Sequence, residues 1–421
     1  MNLKKKCKIS GLFVVCVFFV SSMQAQDKVT IDQCLKAYET NVPYQLQFAS
    51  IDDIEKVKLD LYQATLLPQT MVVGQGTYQS DVTGIPITIP GIQPLAKDQY
   101  RAYLEVNQSI TDLLNKDKQR AVIRDQSVIE KSKNSVEIYK FKEQIVEIYF
   151  GILLSDRQLE LFDLSKKQIG AGISKMDAAL ANGLTNKIQV ELLKAELLKV
   201  EQSEDEILAR KESLIQNLNV LTGLTLSKEN DFETPFQING FSEPRPEFAL
   251  FDAQSRWLED SEKLLDIKLQ PRIGVFGQVG YGRPGLNMLS NNFDSYFIGG
   301  VRLMWSLNPF MTKKNDQQLI KLQHTGIQVQ KEMFALGQKL KDGQIDGQIN
   351  GLEKNIEKDD KIIQIKDAAV ENAQRKLSLG TMDALDYIQY VNQADIAKQQ
   401  AAIRAIQKTK FQFLKLYNSG L

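Results

Sequence analysis

Leu180-Ala181-Asn182-Gly183-Leu184-Thr185 and Leu377-Ser378-Leu379-Gly380-Thr381 are two turns of one design, and their glycines lie 197 residues apart. Glycine closes a helix cheaply because it accepts a left-handed backbone. Ser109 and Ser306, and Gly223 and Gly420, keep the same separation. Upstream, Asn41-Val42-Pro43 and Leu67-Pro68-Gln69 correspond to Arg245-Pro246-Glu247 and Gln270-Pro271-Arg272 at a separation of 203. The chain therefore reads as two internal repeats. The change of six residues between Pro68 and Ser109 is a length difference confined to one connection, and such a difference belongs in a loop.

The segments around that change alternate with a period of two. Tyr100, Ala102, Leu104 and Val106 share one face, with Arg101, Tyr103 and Glu105 on the other. Ile273, Val275, Val279 and Tyr281 repeat the pattern, as do Phe297, Val301, Leu303 and Trp305, while Met71 to Tyr78 carries it more weakly because of Gly74 and Gly76. This is the signature of half-buried strands. The breakers sit between them: Pro86, Pro90 and Pro94 in the longer connection, Arg283-Pro284-Gly285 and Asn291-Asn292 in the shorter. Each repeat thus holds one hairpin, at about residues 70–110 and 272–306. The rest reads as helix. From Lys116 to Ala181 there is no proline, and at 1.5 Å per residue that run spans on the order of 100 Å. After Gly183 the chain turns back with Leu193, Leu197, Val200, Ile207, Leu214, Leu218 and Leu221 at coiled-coil spacing, interrupted by Glu204 and Lys211.

The opening residues assign the compartment. Lys4, Lys5, Lys6 and Lys8 precede an apolar run from Gly11 to Val20 that gives way to small and polar residues ending at Ala25. That is the layout of a secretory signal peptide, since a permanent membrane helix needs roughly twenty apolar residues. The expected division is a signal peptide at 1–25, a first repeat at 26–240 and a second at 241–421. Cys7 and Cys16 fall in the removable segment, and bulky Val15 before Cys16 argues against a lipid attachment there. Cys34 is left alone, and an exported chain with one thiol is stabilised by packing rather than by internal disulfides.

Basic and acidic residues number 52 each, without long blocks of one sign, which gives a nucleic-acid partner no electrostatic support. The single histidine, His324, stands among Leu322, Gln323 and Thr325 as a helix-surface residue and builds no metal centre. No nucleophile with an adjacent base and no phosphate-binding glycine loop is legible. The expectation is a protein that is not an enzyme and carries neither cofactor nor metal.

Four strands of about ten residues reach across a bilayer when tilted, but an open four-stranded sheet leaves unpaired backbone edges in lipid. Only a closed barrel removes them, so a four-strand subunit closes its barrel with other chains. Long antiparallel helices equally need neighbours to bury their remaining apolar positions. The fold class expected from these patterns is mainly α with a small β portion: long antiparallel coiled-coil helices, plus four strands given to an oligomeric transmembrane barrel. The competing reading is an exported coiled-coil interaction protein without a pore, which leaves the four alternating segments unexplained.

The paired proline-bounded helices, the paired hairpins and the two glycine turns, each followed by a helix closing on Leu221-Thr222-Gly223 or Asn418-Ser419-Gly420, together resemble the TolC-type outer-membrane efflux protein family. The resemblance implies a homotrimer whose strands make one 12-strand barrel in outer-membrane lipid, continued by a periplasmic tunnel. It also implies a passive exit duct, for efflux or type I secretion, docked through a periplasmic adaptor onto an inner-membrane transporter. The turns Asn182, Gly183, Leu184, Thr185 and Leu379, Gly380, Thr381 are the implied adaptor-docking points. An acid shortly after the second turn lines the tunnel entrance in the family. Asp386 occupies that position, with Asp383 the next candidate; Gln389 stands where some members have a second acid, and Gln189 is the first-repeat counterpart.

One motif competes locally. Residues 342–353, from Asp342 through Gly347 to Glu353, have the spacing of a calcium-binding loop, but Gln344 breaks the pattern and the equivalent first-repeat stretch, residues 145–156, reads as helix. The preferred expectation is that Gly343, Gly347 and Gly351 let a neighbouring helix approach closely.

Overall fold

The structure, a computed structural model, describes residues 28–84, 95–235 and 244–420. The signal peptide read at residues 1–25, the prolines Pro86, Pro90 and Pro94, and the division placed at residue 240 lie outside the described residues. In chain order the elements are α1 (Ile31–Glu39), α2 (Val42–Thr65), β1 (Gln69–Tyr78), β2 (Asp98–Ser109), α3 (Ile110–Leu114), α4 (Lys116–Ala181), α5 (Lys187–Thr222), α6 (Pro246–Lys268), β3 (Arg272–Arg283), β4 (Asp294–Met304), α7 (Asn308–Ser378) and α8 (Ala384–Ser419).

Proline punctuates as expected. Pro43 and Pro246 sit in the first turns of α2 and α6, where a missing N–H costs nothing, and Pro68 and Pro271 stand between those helices and the strands that follow. The long helices α4 and α7 contain 66 and 71 residues, so each runs about 100 Å. Each folds back on a shorter partner, α4 on α5 and α7 on α8, and contacts between α4 and α8 join the two hairpins. The short helices α2 and α6 lie against the sheet-proximal half of the bundle, α2 on α4 and α6 between α4 and α7.

Two apolar clusters hold the helices. One lies mid-length, where Ile145, Tyr149, Phe150 and Ile152 of α4 meet Leu218 of α5, Phe413 of α8, and Cys34 and Tyr38 of α1. The second lies toward the glycine turns and joins Ile169, Leu193, Leu377, Tyr387 and Val391. The expected α5 seam runs through both: Leu193 and Leu218 are buried, while Leu197, Val200, Leu214 and Leu221 are packed against the clusters. Its polar interruptions are paired with α4, Glu204 with Lys166 at 2.6 Å and Lys211 with Asp156 at 2.5 Å.

The sheet is antiparallel throughout, in the order β1-β2-β3-β4, which leaves β1 and β4 as edges. Its register places Val72, Leu104, Val279 and Phe297 directly across from one another in one row. Side chains alternate between faces, so Tyr100, Val301 and Leu303 share that apolar face. The opposite face carries Glu105, which accepts hydrogen bonds from Asn107 at 2.7 Å and Gln278 at 2.6 Å, with Arg302 3.5 Å away. The apolar row is bare: Val72 is 80 % and Phe297 79 % exposed. No helix among the described residues is long and apolar enough to cross a membrane.

Candidate functional site

Two surfaces stand out, the tip where both helical hairpins turn and the apolar face of the sheet. At the tip, both long helices end in the same capped geometry. Gly183 and Gly380 have φ of 69° and 68°. The N–H of Gly183 donates to Leu180 O at 3.0 Å and that of Leu184 to Ala179 O at 2.9 Å; Gly380 and Thr381 repeat this onto Leu377 and Lys376, both at 3.0 Å. These paired bonds satisfy the terminal carbonyls and require a left-handed residue at the glycine. Asn182 and Thr381 add side-chain bonds to Ala178 O and Lys376 O. The polar residues of the turns are therefore committed to their own helix ends, and Thr185 is half-buried. What the tip offers outward is apolar: Leu184 is 70 % and Leu379 77 % exposed, with Ile188 and Leu385 beside them.

The two turns abut. A Cβ on Gly380 would lie 3.8 Å from Leu184 O. Gln189 of α5 reaches across and accepts a hydrogen bond from the N–H of Ala384, the first residue of α8, at 2.7 Å. Ala384 is fully buried, so without this bond its N–H would lack water as well. Asp383, the residue before α8, makes no side-chain cap bond of its own. Further ties follow along the same seam, Asn392 to Glu196 at 3.0 Å and Ser165 to Asp395 at 2.6 Å. Burial pushes the Asp395 carboxyl up; the Ser165 hydroxyl and Lys398 pull it the other way.

The residues expected at the entrance separate into two groups. Asp383, Asp386 and Gln389 lie at steps of three on one exposed face at the start of α8, while Tyr387 and Ile388 are buried on the other side. Asp386, in the first turn, also suits the positive end of the helix dipole. Gln189 is not with them: its side chain is turned to α8 and used as a cap.

No family model matches the sequence, and no curated protein matches it. Solved structures do match its shape. The outer-membrane channel OprN aligns over 93 % of this chain and 89 % of its own with a TM-score of 0.69 at 12 % identity. The CmeC outer-membrane channel of Campylobacter jejuni aligns over 93 % and 86 % with a TM-score of 0.65 at 14 % identity. VceC of Vibrio cholerae aligns over 93 % and 96 %, with 0.64 at 12 %. The fold is that of the TolC-type outer-membrane channels.

The competing motif at residues 342–353 resolves as the preferred reading had it, while the role expected for its glycines does not. Residues 342–353 form no loop; they lie mid-way along α7 as continuous helix. Asp342 accepts from Asn418, Asp346 pairs with Lys415 and Glu353 with Lys408, so the acids that would have bound calcium hold α8 instead. The glycines do not admit a neighbouring helix of this chain either: a Cβ on Gly343, Gly347 or Gly351 would meet nothing within 4 Å. Spacing alone does not tell an open helix face from a packed one. Conversely, α1 was not anticipated. Its N-terminus is a capping box in which Thr30 accepts from the Gln33 N–H and Gln33 accepts from that of Thr30, a signal present in the sequence as Thr-x-x-Gln. Tyr149 anchors this region: its hydroxyl lies 2.7 Å from Val29 O and 2.6 Å from Glu233 O, its single proton shared between them.

Proposed function

We propose that this chain is one subunit of an outer-membrane channel, a homotrimer with a 12-strand barrel and a periplasmic helical tunnel, acting as a passive exit duct. The observation that carries the reading is the sheet. It has two unpaired edges and a row of exposed Val72, Leu104, Val279 and Phe297, and it is mounted on helices about 100 Å long. Unpaired edges in hydrocarbon cost several kcal/mol per backbone group, and closure against other copies removes that cost. The helical wall has matching unpartnered surface, with Leu46, Val57 and Leu61 of α2 and Leu322, Met333 and Leu340 of α7 all more than half exposed. An exported coiled-coil protein without a pore would have no use for the apolar row.

In this reading the tip is the periplasmic end. Leu184, Leu379, Gly183, Gly380 and the capped turns around them present the surface that an adaptor protein grips, and an inner-membrane transporter supplies the cargo through it. Asp386 lines the entrance with Asp383 and Gln389, and no step of the function is catalytic. The test is oligomeric state and conductance together. Cross-linking in native outer membranes is expected to give a trimer, and the purified trimer to conduct ions across a planar bilayer. A detergent-stable monomer retaining its full strand content would overturn the proposal.

A further inference from the structure

The chain passes from sheet to long helix twice, and both crossings expose the same pattern. After β2, Ile110, Leu113 and Leu114 are 38, 39 and 79 % exposed; after β4, Leu307, Phe310 and Met311 are 61, 49 and 80 % exposed. Both trios have i, i+3, i+4 spacing, which puts each on one face of a helical turn. A lysine follows two residues after each trio, Lys116 and Lys313, with Lys314 next to the second.

Both trios continue the apolar face of the sheet. Trp305, half-exposed and the first residue past β4, meets Phe310 edge-on with 6.0 Å between ring centroids. On the other crossing, Thr111 fixes the segment to the start of β3, donating to Pro271 O at 3.2 Å and accepting from the Ile273 N–H at 2.9 Å. Ile273 belongs to the same apolar face. The indole N–H of Trp305 is satisfied by Leu269 O at 3.0 Å, which leaves its ring as the exposed part. Both crossings run from the apolar strand face through an exposed apolar turn to lysine, and the second adds Trp305 at its start; this is the order required where acyl chains give way to headgroups. Indole rings sit at that boundary, and lysine stems lie along apolar surface while the ammonium reaches polar ground. Lys116 and Lys314 are exposed and pair with no carboxylate among the described residues, and the carboxylate nearest Lys313, that of Asp266, is 3.8 Å away.

We infer that residues 110–116 and 307–314 form an interfacial collar at the base of the barrel, which seats on the periplasm-facing leaflet and binds anionic phospholipid headgroups through Lys116, Lys313 and Lys314. The inference rests on the barrel reading of the sheet, and continuity with the barrel's lipid face is what selects lipid as the occupant. In the trimer the collar recurs six times around the barrel.

The test places a photoreactive benzophenone side chain at position 114, 311 or 297 of the full chain. Each variant is reconstituted in phosphatidylcholine vesicles containing a minor share of phosphatidylglycerol, irradiated, and its adducts identified by mass spectrometry. Lipid adducts are expected at all three positions, with those at 114 and 311 enriched in phosphatidylglycerol beyond its share. Lys116→Gln, Lys313→Gln and Lys314→Gln combined should lower that enrichment on the order of tenfold, since each surface lysine contributes severalfold to anionic-lipid binding. Protein adducts or none at 114 and 311, with lipid at 297, overturn the collar and leave the barrel standing. Absence of lipid at 297 overturns the barrel reading and the collar with it. Equal capture of both lipids at 114 and 311 overturns the headgroup assignment.

Discussion

The bond from the Ala384 N–H to Gln189 ties the two helical hairpins at the tip, and its removal has a calculable effect. The bond is 2.7 Å long and partly buried, and its donor is at 0 % exposure. A neutral hydrogen bond contributes about 0.5–1.5 kcal/mol net, and loss of a helix N-cap costs about 1 kcal/mol. Gln189→Met keeps the bulk and deletes the acceptor, so the free energy of opening α8's first turn should fall by about 1 kcal/mol. That corresponds to about a fivefold faster amide exchange at Ala384. Gln189→Glu keeps an acceptor at a helix N-terminus, where negative charge is favourable, and should hold the wild-type rate. Hydrogen exchange read by mass spectrometry on a peptide covering residues 381–390 measures both. Asp383 stands at the N-cap with its side chain unused and could supply a substitute acceptor. The Gln189→Met comparison is therefore repeated with Asp383→Ala. Wild-type exchange at Ala384 in both backgrounds would refute the tie.

Three further outcomes are expected. Gly380→Ala places a side chain at φ of 68° and should destabilise the tip by about 1 kcal/mol, seen as a lower thermal midpoint, whereas Gly347→Ala, in open space on α7, should raise the midpoint through helix propensity. The Asp125 carboxyl on α4 is pushed up by burial and then by Asp260 of α6, against the opposing charges of Arg256 and Lys263, and its Oδ2 is buried without a donor. A carboxyl raised in the folded state favours folding at low pH, and that contribution is lost as pH rises through the raised value. The stability of wild type relative to Asp125→Asn should therefore fall as pH climbs from about 4 toward neutrality, and a pH-independent difference in thermal midpoint would contradict the raised Asp125 carboxyl. Asp386→Asn should weaken cation preference in planar bilayers at low salt without loss of trimer, and the effect should shrink near 1 M salt, where the screening length is about 3 Å; unchanged selectivity at low salt would move the entrance away from Asp386.

The elements were legible in the sequence because their signals are local. Pro43, Pro68, Pro246 and Pro271 bound helices wherever those helices pack, and Gly183 and Gly380 end helices through their own backbone freedom. The alternation of Leu104 with Glu105, or Val279 with Gln278, assigns the two faces of a strand before any partner strand is known. Even the proposal of other copies starts locally, from four strands that leave two edges unpaired. Partnership is what a linear reading leaves open. Gln189 and Asp386 stand 197 residues apart at matching places in the sequence, yet one caps a helix and the other faces outward, because α8 begins against the side of α5 that carries Gln189, which spacing does not encode. Asp342, Asp346 and Glu353 have the order of a calcium loop, and the lysines and asparagine of α8, more than fifty residues downstream, claim them instead. Gly343, Gly347 and Gly351 carry the same spacing whether a helix lies against them or not, and only the packed structure shows that no helix of this chain covers that face. The sequence determined by itself the long helices, the proline-bounded helices, the strands and which face of each strand is apolar. Tertiary structure decided which polar group meets which, because such pairings depend on the crossing of elements hundreds of residues apart and a hydrogen bond tolerates only a few tenths of an ångström.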